Sequence, residues 1–150
     1  MKPSFLSCVF GGVLAAVLSG FLTWGLGLIF RMAFDADLVM FNLFPQLMLA
    51  SLFNAAGIVA FFIYTRALRA PEVAYVATTL AVAVALSILV TMKQPYVEEP
   101  IFTFVAYLAH AIVAIVSAAV MIGFQRLHAQ SAAPAATLAV PSESSSPVSA

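Results

Sequence analysis

Two side chains are placed to do chemistry within long uncharged stretches of the chain, Asn54 and His110. An amide carries two donors and an acceptor, and a neutral imidazole carries one of each. The two can therefore satisfy one another or hold a polar group of a ligand. Asn54 falls about 11 residues from the start of the second predicted span, near 43, and His110 about 9 from the start of the fourth, near 101, within roughly 3 Å of one depth at helical rise. The spacing predicts either an interhelical Asn54–His110 pair or the floor of a pocket. The rim of that pocket would be drawn from Thr23, Trp24, Gln46, Ser87, Thr103 and Tyr107. As a pair, the two would contribute about 0.6 kcal/mol, and at most about 1.7, in a bilayer.

Other chemistry finds little support. One deep histidine supplies one metal ligand, His128 lies beyond the last uncharged stretch, and Cys8 is the single cysteine. Neither a metal site nor a disulfide framework is expected. There is no H-E-x-x-H, no glycine loop for phosphate and no nucleophile elbow, so no catalytic residue is assigned and no cofactor is expected. No carboxylate or basic side chain lies deep in a stretch. This argues against a proton pump, a voltage sensor or a carboxylate-coupled antiporter, while leaving open the transport of a neutral or apolar molecule. Asp35, Asp37, Glu98 and Glu99 lack calcium-loop spacing and read as a solvated rim. Six basic and six acidic residues balance, which excludes a nucleic-acid footprint.

The elements that must position these residues follow from composition. Of 150 residues, 64 % are hydrophobic and 8 % charged, with mean hydropathy +1.11. A soluble domain of this composition would lack the polar surface to cover itself. Asp, Glu, Lys and Arg are absent from residues 3–30, 38–65, 73–92 and 100–125, runs of 28, 28, 20 and 26 residues. About 20 helical residues cross a bilayer core, so four spans are predicted, near 6–30, 43–65, 72–92 and 101–124. The runs are long and apolar on every side, unlike barrel strands, which are short and alternate. The first run exceeds the apolar core of a signal peptide and is read as a span. Cys8 lacks the preceding apolar run of a lipid-attachment site and reads as a small buried side chain.

Proline and charge mark the ends. Pro45, Pro71 and Pro100 sit at or near helix starts, where a missing N–H costs little. Lys2, Arg66, Arg69 and Arg126 fall on one side and Arg31 and Lys93 on the other, which predicts cytoplasmic termini and a cytoplasmic middle loop. Residues 31–42 read as a flat interfacial helix or the extended end of span one. From residue 129 the chain is Ala, Ser and Pro without periodicity, and a disordered tail is expected over 129–150.

Small residues predict which faces meet, because lipid offers no hydrophobic reward for helix association. Span one carries Gly12, Ala16, Gly20, Thr23 and Gly27 on one side, widened by Gly11, Ala15 and Ser19. Span two offers Gln46, Ala50, Asn54, Gly57 and Phe61. Span three offers Ala74, Ala77, Thr78, Ala81 and Ala85. Span four offers Tyr107, His110, Ala111, Ala114, Ser117 and Ala118. A compact all-α four-helix transmembrane bundle with these stripes inside is the expected fold. The stripe of span one could alternatively serve a homodimer.

The glycine-rich first span, the tight basic loop at 66–71 and the Leu108-Ala109-His110 step in a final Ala/Val-rich helix give a layout that resembles small four-span bacterial membrane proteins of uncharacterised function. The resemblance covers about residues 5–127. It implies a membrane location and a four-helix fold, and no substrate or catalytic residue; a cell inner membrane is the expected setting. The expected role is non-enzymatic, structural or associated with another membrane subunit. The alternative is a small carrier or pore for a neutral or apolar ligand, with an outward pocket near His110. Membrane lipids are the expected surroundings.

Overall fold

A computed structural model describes residues 3–35, 41–92 and 100–137, with side chains as far as residue 130. It contains four helices, α1 (Phe5–Phe34), α2 (Leu43–Ala67), α3 (Pro71–Met92) and α4 (Pro100–Thr137). All four are long and apolar enough to cross a membrane. The protein is an all-α bundle of transmembrane helices.

Each end has a local cause. Ser4 caps α1, its hydroxyl accepting from the Ser7 amide at 3.1 Å, which satisfies one of the amides a helix start leaves unpaired. At the other end Asp35 adopts a left-handed conformation (φ 49°) and stops the helix. Asn42 precedes α2 without bonding its amides. Its side-chain oxygen accepts instead from Arg31 Nη2 at 3.1 Å, tying the end of α1 to the start of α2. Residues 68–70 turn the chain directly from α2 into α3, and Pro71 and Pro100 open α3 and α4.

Two helices run past their predicted spans, α1 in line with one of the two readings of 31–42 and α4 against expectation. Helix α1 continues through 31–34 as the extended end of span one, whereas residues 36–40 lie outside the described residues. Helix α4 runs to Thr137, nine residues into the segment expected to lack order. Alanine, the best helix former, fills much of 129–137 and lets a helix already nucleated in the membrane continue. Residues 138–150 lie outside the described residues.

The helices form a ring in chain order. Helix α1 packs extensively on both α2 and α4, α3 leans on α4 and meets α2 more sparsely, and α2 touches α4 only slightly across the diagonal. Glycines set the closest approach. A Cβ on Gly20 would stand 2.7 Å from Leu47 Cδ2 and 3.2 Å from Leu47 Cα. A Cβ on Gly27 would collide with Phe41, and one on Gly12 with Ile58. The whole predicted stripe of α1, Gly11, Gly12, Ala15, Ala16, Ser19, Gly20, Thr23 and Gly27, is buried. It is occupied by α2 and α4 of the same chain. The stripe of α2, from Gln46 to Phe61, is buried as well.

Helix α3 departs from the expected face. It buries Tyr75, Thr79 and Ala83, while Ala77, Ala81 and Ala85 are exposed. Rotation about its axis places the Tyr75 ring in the notch at Gly57 and edge-on to Phe61, with centroids 5.0 Å apart. A fully buried aromatic ring makes more contact than an alanine row with no close partner. Helix α4 is intermediate. Ala114, Ser117 and Ala118 are buried as expected, Tyr107 and His110 are half-buried, and Ala111 is exposed.

Candidate functional site

The polar side chains of the bundle are mostly spent on helix backbones. Ser19, Thr23, Ser51, Thr65, Thr78, Thr79, Ser87 and Thr91 each donate to a carbonyl three or four residues earlier on their own helix. A serine or threonine hydroxyl has one proton, so a second bond to the same oxygen must be accepted. This fixes direction at three sites along α3. Tyr64 donates to Thr78 Oγ1 at 3.0 Å, and Tyr107 donates to Thr91 Oγ1. Ser87 spends its proton on the Ala83 carbonyl at 2.8 Å, so His110 Nδ1 donates to Ser87 Oγ at 3.1 Å. The network thereby assigns His110 the Nδ1–H tautomer and leaves Nε2 as an acceptor.

Asn54 and His110 are therefore not a pair. The Asn54 amide turns back to the Ala50 carbonyl at 2.8 Å, and His110 bonds to α3. Counting residues from the span starts misplaced the two in depth. The site a Cβ would take on Gly12 contacts Ile58 of α2 and the terminal methyl of Met121 of α4, which brings those two residues to about the same depth. Asn54 then matches Ser117, and His110 lies seven residues, or about 10 Å, farther from the chain termini.

A cleft of about 240 Å³ opens sideways between α2 and α3, where the two helices diverge beyond the Gly57–Tyr75 contact. Gln46, Leu49, Ala50 and Phe53 form one wall, and Ala83, Leu86 and Val90 the other. Ala106, Ala109, His110 and Val113 of α4 form the back. Phe41 and Phe102 close its far end, edge to face with centroids 5.6 Å apart. Leu49 and Leu86, exposed by 53 % and 36 %, make the lips. The lining is apolar apart from Gln46 and His110.

Of the expected rim, Gln46 lines this cleft and the others do not. Thr23, on α1, is fully buried and donates to the Ser19 carbonyl of its own helix at 2.9 Å. Trp24 stacks edge-on with Phe21 at 6.1 Å. Ser87 and Tyr107 line a shallower groove on the opposite side of α3, and Thr103 lines another with Tyr107. The stiff apolar wall residues Leu49, Phe53, Leu86, Val90 and Phe102 went unanticipated. Nothing in their type or spacing distinguishes a cleft wall from a lipid-facing surface.

At the chain-terminus end, Arg126 is ion-paired to Glu72 and lies with Gln125 and His128 beside a second, wider concavity of about 380 Å³. Arg66 caps the Phe62 ring at 3.8 Å. Cys8 is buried and free, with Gln125 Nε2 3.8 Å from its sulfur. Among the described residues, no three His, Cys, Asp or Glu side chains are grouped so as to hold a metal ion.

Comparison of the chain with protein-family models, with curated proteins and with solved structures gives no match. The resemblance in layout thus stands at the level of a small multi-span membrane protein.

Proposed function

We propose that this protein is a non-enzymatic membrane protein that binds a small, mainly apolar molecule bearing one hydrogen-bond donor in the cleft between α2 and α3. The observation that carries the reading is the cleft itself, with the His110 ring in its back wall. An apolar cavity of about 150 Å³ holds benzene, so 240 Å³ accommodates a ring with a short chain. Ser87 occupies Nδ1, so Nε2 is the ring atom left for the ligand, and as an acceptor it selects a hydroxyl or N–H. The sideways opening suits a ligand that arrives from the bilayer. This reading favours a carrier or binding subunit over a purely structural role. The excess of Lys2, Arg66, Arg69 and Arg126 at the chain-terminus end supports cytoplasmic termini, which puts the cleft in the outer half of the membrane.

A matched pair of probes tests the proposal. 4-Propylphenol and propylbenzene share a shape and differ in one hydroxyl. Titrated into the purified protein in mild detergent and read by ligand-observed NMR, the phenol is expected to bind about fivefold more tightly, the equivalent of one modest hydrogen bond. His110→Leu should abolish the difference, and Leu86→Trp, which fills the cleft from its lip, should weaken both probes. Equal affinities in the unaltered protein, or binding indifferent to Leu86→Trp, would rule the cleft out as the site.

A further inference from the structure

We propose that Asn54 Oδ1, Tyr75 Oη and Ser117 Oγ together bind one internal water molecule at the centre of the bundle, a helical turn beneath the floor of the cleft. The three atoms belong to three helices. Their residues are 1 %, 0 % and 0 % exposed, and none of the three atoms has a hydrogen-bond partner within the protein. Buried polar atoms are almost always bonded, so three at one place call for a shared partner.

The packing places them together. Gly12 meets Ile58 and the terminal methyl of Met121, which puts those residues at about the same depth, and α2 and α4 run in the same direction. Asn54 and Ser117 each lie four residues before those positions, one turn farther from the chain termini. Tyr75 reaches the same zone from α3. Its oxygen lies 2.7 Å from where a Cβ on Gly57 would stand, three residues after Asn54, and its ring packs in one cluster with Ala118 and Met121. Ala50 and Val113, which line the cleft, are one turn beyond Asn54 and Ser117.

The chemistry is complementary. The Asn54 amide nitrogen is committed to the Ala50 carbonyl, so its oxygen is oriented as an acceptor. Ser117 departs from the other buried serines and threonines of the helix interiors, because its hydroxyl is not donated to its own backbone. Tyr75 offers a phenolic proton. Two donors and one acceptor match a water molecule that accepts two bonds and donates one, the usual count for a buried water being about three. A hydroxyl cannot easily span three helices, and a water can. The consequence is mechanical. The water links α2, α3 and α4 directly below the cleft, where the diagonal α2–α4 contact is otherwise slight.

A high-resolution crystal structure of the intact chain grown from a lipid phase tests this directly. A density peak within about 3.2 Å of all three oxygens is expected. Direct Tyr75–Asn54 or Ser117–Val113 bonds with no peak would overturn the proposal. Thermal unfolding in detergent gives a second test. Tyr75→Phe and Ser117→Ala should each lower the midpoint by about 3 °C. The double variant should fall no further than the worse single one, because the water is lost with the first substitution. Additive losses would overturn it, as would a midpoint in the unaltered protein that rises with sodium concentration, which would put a cation in the water's place.

Discussion

The α1–α2 seam and the α2–α3 seam share one helix and contrast in every other respect. Along the first, Gly12, Gly20 and Gly27 meet Ile58, Leu47 and Phe41 at every second turn, and the helices stay close over most of their length. Along the second, contact is concentrated near the connecting turn, at Gly57 with Tyr75 and Tyr64 with Thr78. Beyond it the helices part around the cleft. Apolar surface gains nothing by leaving lipid for another helix, so closeness is set by the size of the side chains between the backbones. Glycine at every second turn closes one seam. A buried tyrosine followed by Thr79 and Ala83 holds the other closed at one point and leaves it open above.

Substitution at the closed seam should have the largest effect. Gly27→Val puts a Cβ into the Phe41 side chain and 3.2 Å from the Phe41 carbonyl oxygen, with two methyl groups added to it. We expect a loss of 3 kcal/mol or more, at the upper end of about 1–3 kcal/mol for overpacking, or no folded protein. Gly25, two residues away, has nothing within 4 Å of its Cβ position. Gly25→Ala should be neutral or stabilising by about 0.5–1 kcal/mol. Unfolding in mixed detergent micelles compares the two, and equal losses would remove the close-approach explanation.

At the open seam, Gly57→Ala strikes the single tight point, where the added methyl meets the Tyr75 oxygen. A loss of about 1–2 kcal/mol is expected. Because the obstacle is one oxygen atom, adding Tyr75→Phe should recover part of it. No recovery would mean that the ring, rather than its hydroxyl, sets the spacing. The smallest effect belongs to the cleft wall. His110→Leu breaks the bond to Ser87 and should cost about 0.6 kcal/mol, at most about 1.7, with the circular-dichroism spectrum unchanged. Collapse of the bundle would show that the α3–α4 seam depends on that imidazole.

Much of this architecture was legible before any coordinates. Four uncharged runs dictate four helices, because a backbone in lipid must bond within itself. The inward faces of α1 and α2 followed from their small and polar residues, which the structure buries. Helix α3 did not yield to the same reasoning. Its alanines promise close packing on one face, yet the Tyr75 ring, level with the Gly57 notch, turns that face outward. Asn54 was recognisable as a buried polar residue. Its company was not, because depth counted from the predicted span starts ignores the axial offset of α4 against α2, about two turns.

Sequence is enough to determine the class of fold, the four spans and the faces of the first hairpin, since each depends on hydropathy and side-chain size within one helix. Tertiary packing settles the tautomer of His110, the opening between α2 and α3, and the meeting of Asn54, Tyr75 and Ser117. Each of these depends on the rotation and axial offset of one helix against another, and a few ångströms there separate a closed seam from a cleft.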